Sequence, residues 1–290
     1  QWAFIKYDGQ SRPVKTGLIT KNQSKDVIQA NAAASSDYPT LSGTYTILTE
    51  TYYDDSNWTS GTGLTGSLNN TYITSSNFIL SYNTSPDYAR PMTKATRIRG
   101  NITGSKKMVL GTPTYLYTAI IYNEDGKAIQ TKQVNYSGGQ DIATTEYDFS
   151  GKVLRTQLHH QESGAGNQSH DLLTKYTYDH AGRPLTITKN IDNTADSLIS
   201  AYTYNELGQV KQKVVGNGLA TQNYSYNMRG WLTGINKEYV TGTNSPELYF
   251  GEALYYDYGF TNTQVNGNIA GIKWKSTGDD VQRAYGYGYD

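Results

Sequence analysis

The sequence has 290 residues, which is enough for one large β domain or two smaller domains. Lysine plus arginine and aspartate plus glutamate each number 25, so the formal charge is zero, which argues against a nucleic-acid or anionic-membrane partner. There is no cysteine, which excludes disulfides, thiolate metal sites and a cysteine nucleophile. No apolar run approaches the roughly 18 residues that span a bilayer.

The first 34 residues predict a strand segment and then one short helix. The opening "QWAFIKYDGQ" reads as the middle of a strand. "SKDVIQANAAA" predicts a helix over 24–34, because Ser24 can cap it and alanine favours it. At the other end, "AYGYGYD" stops where the pattern described below would enter a turn. We therefore expect an interior piece of a longer polypeptide.

Residues 35–93 form a segment of different composition, rich in Thr, Ser, Asn and Gly. "TYTILTETYY" alternates as a strand does, and the Gly-rich middle, 60–70, predicts an exposed loop. Tyr53-Asp54 resembles a degenerate copy of the repeat described next, with Asn57 at its glycine position. We predict an insert with strands and an exposed loop here, followed by a third region over 94–290.

A short motif, Tyr-(Asp/Asn)-x-x-Gly, recurs through the third region. A further copy, "YDGQSRPV" from Tyr7, has Ser11 in place of the glycine. The irregular spacing of the copies suits hairpins with variable far loops better than a strict solenoid. The residues of the five good copies that we predict to form structural corners are Tyr122, Asn123, Gly126, Tyr147, Asp148, Gly151, Tyr178, Asp179, Gly182, Arg183, Tyr204, Asn205, Gly208, Tyr226, Asn227 and Gly230.

The motif has the chemistry of a hairpin corner. Asp or Asn can accept a hydrogen bond from the backbone two residues on, and glycine three residues later supplies a positive φ. The residue after the glycine is mostly basic or polar and should face the Asp or Asn across the hairpin, as Arg183 faces Asp179. The next residue is apolar in all five copies and should face the tyrosine.

Turns of a second kind, rich in Gly, Asn and Ser, alternate with these corners. They lie at 136–141, 162–167, 191–196, 215–220 and 241–246. The pattern changes after Tyr256, where Asn266-Gly267 predicts a two-residue hairpin. The predicted fold is all-β, with antiparallel hairpins side by side in one continuous curved sheet and one short helix.

"YDHAGRPL" and its sister copies resemble the RHS/YD-repeat family of secreted bacterial proteins and animal teneurins. The resemblance implies a strip of hairpins that forms part of a hollow shell, which in bacterial members encloses a C-terminal toxic or enzymatic domain. It also implies a secreted or cell-surface location. The implied partners are the remaining repeats, the C-terminal domain of the same polypeptide and bacterial secretion machinery. We expect no nucleic-acid partner and no membrane insertion.

Candidates for catalysis or metal binding do not form a recognisable constellation. His159 and His160 point to opposite faces of a regular strand and cannot chelate together. Asp37, Asp54 and Asp55 do not have the spacing of an EF-hand loop. Glu50, Asp54 and Glu146 could supply paired carboxylates for glycoside hydrolysis, but nothing in the sequence fixes their separation. We predict no catalytic residue, no cofactor, no metal and no enzymatic activity.

Carbohydrate binding is the alternative function. Tyr-rich repeats with glycine turns can present aromatic faces that stack on sugars, as a cell-surface adhesion module would use them. The two interpretations differ in whether Tyr147, Tyr178, Tyr204 and Tyr226 pack between neighbouring strands or line an exposed groove. The apolar residue opposite each tyrosine favours packing.

Overall fold

The computed structural model describes residues 1–35, 37–164, 166–242 and 248–290. The fold is all-β, as the repeat predicts, with seventeen antiparallel strands and two α-helices within the described residues. The chain divides into two units. One comprises Gln1–Leu173 with Ile191–Asn193, and the other comprises Thr174–Asn190 with Thr194–Asp290.

The first unit contains eight complete strands, and each pairs antiparallel with the next along the chain. They are β1 (Trp2–Tyr7), β2 (Pro13–Ile19), β3 (Tyr45–Tyr53), β4 (Ile102–Met108), β5 (Tyr115–Tyr122), β6 (Ala128–Val134), β7 (Gln140–Tyr147) and β8 (Val153–Gln161). Helix α1 (Lys25–Ala34) follows β2 and confirms the predicted helix. The boundary between the units falls inside β9 (Ser169–Tyr178).

The second unit, described by itself, is also an antiparallel meander. Its strands are β10 (Pro184–Ile191), whose last residue belongs to the first unit, β11 (Ser197–Tyr204), β12 (Val210–Val215), β13 (Ala220–Tyr226), β14 (Leu232–Ile235), β15 (Phe250–Tyr255), β16 (Gly271–Ser276) and β17 (Arg283–Gly286). Consecutive strands again pair antiparallel. Val240, Ala253 and Tyr255 form a small buried cluster, with Phe260 packed against it.

The predicted hairpin register is confirmed at the corners whose pairing is described. Each tyrosine lies opposite the residue two positions after the glycine position, with a register shift beside it. The pairs are Tyr7–Pro13, Tyr122–Ala128, Tyr147–Val153, Tyr204–Val210 and Tyr226–Leu232. A slip of one residue would have moved each apolar side chain to the other face of the sheet.

A long connection, residues 54–101, leaves β3 and returns at β4, and it packs on the sheet of the first unit. It contributes buried apolar side chains such as Leu64, Phe78 and Met92. It also hydrogen-bonds to buried polar side chains of the strands, as Asn77 Nδ2 does to Gln157 Oε1 at 2.9 Å. The loop at 60–70 is largely exposed, as predicted, but it is anchored to the sheet, because Leu64 is buried and Gln130 accepts the Asn69 N–H at 2.8 Å.

Two details at the far end also differ from the sequence prediction. Asn266-Gly267 does not join two strands directly, since it lies within a connection of residues 256–270 between β15 and β16. Gly267 instead lies against the Trp231 ring. A five-residue helix, α2 (Lys237–Thr241), was not predicted, and it buries Tyr239 and Val240. The predicted turns at 162–167 and 241–246 lie partly outside the described residues. The boundaries predicted at 34 and 93 between the three segments of the chain stay predictions.

Candidate functional site

The repeated corners share one backbone geometry. The Asp179 N–H donates to the Arg183 carbonyl at 2.9 Å, and the Gly182 N–H donates to the Asp179 carbonyl at 2.9 Å. The same two bonds recur in four further corners of the motif, and at the serine-bearing copy near the start of the chain. Their first residues are Asp8, Asn123, Asp148, Asn205 and Asn227. The six copies of the motif in the described residues therefore form the same structural unit.

The Asp or Asn side chain stabilises each corner by accepting hydrogen bonds from its backbone. Asp179 Oδ1 accepts the N–H of Ala181 at 2.9 Å and the N–H of Arg183 at 2.8 Å. The corresponding oxygen accepts the equivalent two N–H groups in each of the other five corners. One side-chain oxygen thus satisfies two backbone donors that the turn would otherwise leave unpaired, which explains why both Asp and Asn serve.

Glycine is favoured three residues later because the backbone is left-handed there. The predicted positive φ is confirmed for Gly126, Gly151, Gly182, Gly208 and Gly230, with values of 73°, 86°, 79°, 80° and 78°. Ser11 occupies this position in the first corner with a φ of 61°. A side chain is strained in that conformation, so the first corner is the least favourable of the six.

The predicted charge pairs across the corners are confirmed. Asp148 Oδ2 lies 3.0 Å from Lys152 Nζ, and Asp179 Oδ2 lies 2.6 Å from Arg183 Nη2. Partial burial of Asp148 opposes ionisation, but hydrogen bonds from Ser150 and Lys152 outweigh it and lower the pKa of this carboxyl. These pairs lie near the surface, where such interactions contribute little to stability.

The tyrosine hydroxyls connect each hairpin to the one before it. Tyr147 Oη donates to the Ala128 carbonyl at 3.1 Å, and Ala128 is the residue two positions after the preceding corner glycine. The same bond links Tyr122 to Ile102, Tyr204 to Pro184 and Tyr226 to Val210, at 2.7–2.9 Å. In the same way, the Tyr53 hydroxyl donates to the Pro13 carbonyl and the Tyr256 hydroxyl donates to the Leu232 carbonyl. We call this series of bonds the tyrosine ladder.

Arginine after the glycine adds a second link to the next hairpin. The Arg183 guanidinium lies over the Tyr204 ring, 4.3 Å from its centroid, and Arg12 lies over Tyr53 at 4.2 Å. A guanidinium over an aromatic face is attracted by the ring quadrupole. The basic residue therefore closes its own corner and also covers the tyrosine of the next.

A seventh corner does not show the motif in its sequence because the long connection interrupts it. Asp54 N–H donates to the Asn101 carbonyl at 3.1 Å, and Asp54 Oδ1 accepts the Gly100 N–H at 2.6 Å. Gly100, with a φ of 88°, takes the glycine role that the sequence suggested for Asn57. The bond to Arg12, followed by that to Gly100, lowers the pKa of Asp54 to about 2. In the sequence, this corner is marked only by Tyr53-Asp54 where the long connection begins and by Gly100, two residues before Ile102, where it ends.

The burial of Glu146, one of the candidate carboxylates, is a second feature that the sequence did not reveal. Its side chain is fully buried under the long connection, and it accepts the Ile79 N–H at 3.0 Å. Burial raises the pKa of this carboxyl to about 7, against the opposing effects of the Ile79 hydrogen bond and Arg155. A carboxyl group in this environment is uncharged at mildly acidic pH.

The other candidate side chains have separate partners. His159, His160 and His170 face Asp171, Asp141 and Asp192 through Nδ1 at 3.0, 2.6 and 2.8 Å. Glu50 is paired with Lys15 and Lys106, and Asp54 with Arg12. Asp37 faces Lys6, and the Asp55 side chain accepts the Asn57 N–H. Among the described residues no three His, Asp or Glu side chains form a group that could hold a metal ion.

Comparisons with known proteins give a remote structural likeness. No family model and no curated protein matches the chain. Two crystal structures, of TcdB2–TccC3 with Cdc42 and of TcdB2–TccC3, align with 98% of this chain at a TM-score of 0.35 and 12% identity. The Photorhabdus luminescens Tc holotoxin pore aligns with a TM-score of 0.34, also at 12% identity. The chain spans only 14–15% of the length of those chains, and TM-scores this low do not establish a common fold.

The helices give no sign of a membrane span. Neither described helix combines the length and apolar character needed to cross a bilayer.

Proposed function

We propose that the chain is a section of wall in an RHS/YD-repeat shell. The shell encloses or scaffolds a C-terminal effector or toxin domain of a larger secreted or surface protein. The tyrosine ladder is the observation that carries this proposal. It ties each hairpin to the preceding one through a residue that the repeat itself supplies, so that a wall can be extended by adding hairpins.

Two properties of the corners support a structural role. The recurring residues satisfy backbone groups and neighbouring rings, as the Asp179 carboxylate and the Tyr204 hydroxyl do. The candidate acid and metal-binding side chains outside the corners have separate partners, as the pairing of Glu50 with Lys15 and Lys106 illustrates. We infer that the segment has no enzymatic activity of its own and uses no cofactor.

The proposed partners follow from the same interpretation. They are further repeats and the C-terminal domain of the same polypeptide, together with bacterial secretion machinery. The zero formal charge gives no basis for binding nucleic acid, and we propose no membrane insertion. In the competing carbohydrate-binding interpretation, the tyrosine rings would be free for sugars, whereas the hydroxyls of Tyr147, Tyr204 and Tyr226 are used between hairpins.

Limited proteolysis of the parent polypeptide tests the enclosure. The parent with its C-terminal domain is digested next to the isolated C-terminal domain, and the half-life of that domain is followed by mass spectrometry. We expect the domain to survive at least tenfold longer inside the parent than alone. Equal half-lives would contradict enclosure.

A further inference from the structure

A cavity in the first unit lies between helix α1 and the hairpin of β1 and β2. Its volume is about 220 Å³. Helix α1 buries none of its residues, and Ile28, which lines the cavity, is only partly buried. The helix therefore borders this space without filling it.

The lining of the cavity is mostly apolar. Side chains of both strands, of the helix and of the segment that follows it contribute, among them Trp2, Phe4, Ile19, Ile28 and Pro39. An apolar cavity holds no ordered water and accepts apolar molecules. At roughly 30 Å³ for a group the size of a water molecule, the space takes a chain of about seven methylene groups.

One wall of the cavity is tied to the hairpin by Lys6. The Lys6 ammonium donates to the carboxylate and to the main-chain carbonyl of Asp37, and to the Pro39 carbonyl at 3.3 Å. The segment that carries Tyr38 and Pro39 is thereby held next to β1. A ligand meets a preformed wall, which lowers the entropy that its binding costs.

Two polar side chains of the lining favour an anionic head group. Lys21 and Tyr38 line the cavity, and within the described residues the Lys21 ammonium and the Tyr38 hydroxyl have no hydrogen-bond or salt-bridge partner. No Asp or Glu is among the described residues that line it. A carboxylate can pair with the ammonium and accept from the hydroxyl, whereas a cation would meet Lys21 with no acid to offset it.

We propose that this cavity binds the anion of a medium-chain fatty acid. The apolar chain of the ligand fills the space between α1 and the hairpin, and its carboxylate binds Lys21 and the Tyr38 hydroxyl. This binding function goes beyond that of a wall section and does not depend on it. The ligand supplies apolar contacts that α1 does not make with the strands.

Octanoate is the probe, titrated into the 290-residue chain at low micromolar concentration and followed by tryptophan fluorescence and ligand-observed NMR. Trp2 lines the cavity, so the change in emission should be lost in Trp2→Phe while the NMR signal of binding remains. We expect octanoate to bind at least tenfold more tightly than hexanoate, because each buried methylene group contributes about fourfold in affinity. Octylammonium should also bind at least tenfold more weakly, because Lys21 repels it.

The decisive variant is Ala32→Phe, which places a ring in the cavity and should weaken octanoate binding at least tenfold. Ala30→Phe is the matched control. It adds the same ring to the same helix, but residue 30 points away from the face that carries Ile28 and Ala32 and does not line the cavity. This control should bind octanoate as the unaltered chain does.

A second variant keeps the test decisive if Ala32→Phe fails to fold, as judged by circular dichroism. Lys21→Met keeps the apolar stem and removes the ammonium group, and we expect it to abolish the preference for octanoate over octanol. Failure of the unaltered chain to bind octanoate at millimolar concentration would overturn the proposal. So would undiminished binding in a folded Ala32→Phe variant. Equal affinities of the unaltered chain for octanoate and octylammonium would overturn the assignment of a carboxylate head group.

Discussion

A phenylalanine could fill the space of each corner tyrosine but could not replace it chemically. The hydroxyl is the donor to a carbonyl of the preceding hairpin, as Tyr147 shows at Ala128. This requirement gives a physical reason why the chain has 27 tyrosines and only 5 phenylalanines. The aromatic ring stabilises by packing, and the hydroxyl fixes which neighbour it packs on.

Replacing Tyr147 by Phe should therefore destabilise the first unit by about 1–2 kcal/mol, because the Ala128 carbonyl loses its donor. Urea unfolding followed by circular dichroism measures the change. Tyr136→Phe is the control, because its side chain is 74% exposed at a turn, and it should leave the transition unchanged. If the two substitutions have equal effects, the ladder bond does not contribute to stability.

Two substitutions at the glycine position should have opposite signs. Ser11→Gly relieves the strain of a left-handed serine and should stabilise by about 1 kcal/mol. Gly126→Ala should destabilise by a similar amount, and it isolates the backbone cost because nothing lies within 4 Å of the added carbon atom. Thermal unfolding measures both changes. Destabilisation by Ser11→Gly would show that Ser11 makes a compensating interaction.

At the scale of elements, the corners were predictable and the long connection was not. Tyr-(Asp/Asn)-x-x-Gly fixes bonds among residues within five positions, so the hairpin register follows from local sequence, as Tyr147 opposite Val153 shows. The bond between Ile79 and Glu146 joins residues 67 positions apart. No local pattern marks such a contact, and for the same reason the pairing of Asp54 with Gly100 was missed.

The buried Glu146 should make the attachment of the long connection depend on pH. Its pKa of about 7 in the folded chain exceeds the ordinary value of 4.5. The folded state therefore binds more protons between these two values, and its stability falls as pH rises through this window, by on the order of 2 kcal/mol. Above pH 7 the Glu146 carboxylate is ionised but remains buried, and the folded state has then lost all of this stability.

Trypsin digestion between pH 5.5 and 8 measures this effect, with rates corrected for the protease's own pH dependence on an unfolded substrate. Lys94, Arg97 and Arg99 lie in the connection and provide cleavage sites, whereas the bond after Arg90 resists trypsin because Pro91 follows it. We expect the corrected cleavage to become faster as pH rises. Glu146→Gln, which stays uncharged, should remove the dependence. A pH profile that persists in Glu146→Gln would assign the effect to another group.

At the scale of the whole molecule, each hairpin of the proposed wall binds the next, and the last strand leaves one edge unpaired within the described residues. β17 hydrogen-bonds to β16 along one side, and all four of its residues are exposed. A strand edge of this kind is a template for pairing with another chain unless further structure covers it. In the proposed shell, neighbouring repeats provide that cover.

The most direct test of the wall proposal is the association state of the 290-residue chain with and without flanking repeats of its parent. Size-exclusion chromatography with light scattering, over a tenfold range of concentration, supplies the measurement. We expect concentration-dependent association or aggregation of the chain alone, and a single defined species when flanking repeats are restored. A chain that stays monomeric at every concentration, and that flanking repeats leave unchanged, would contradict the wall proposal.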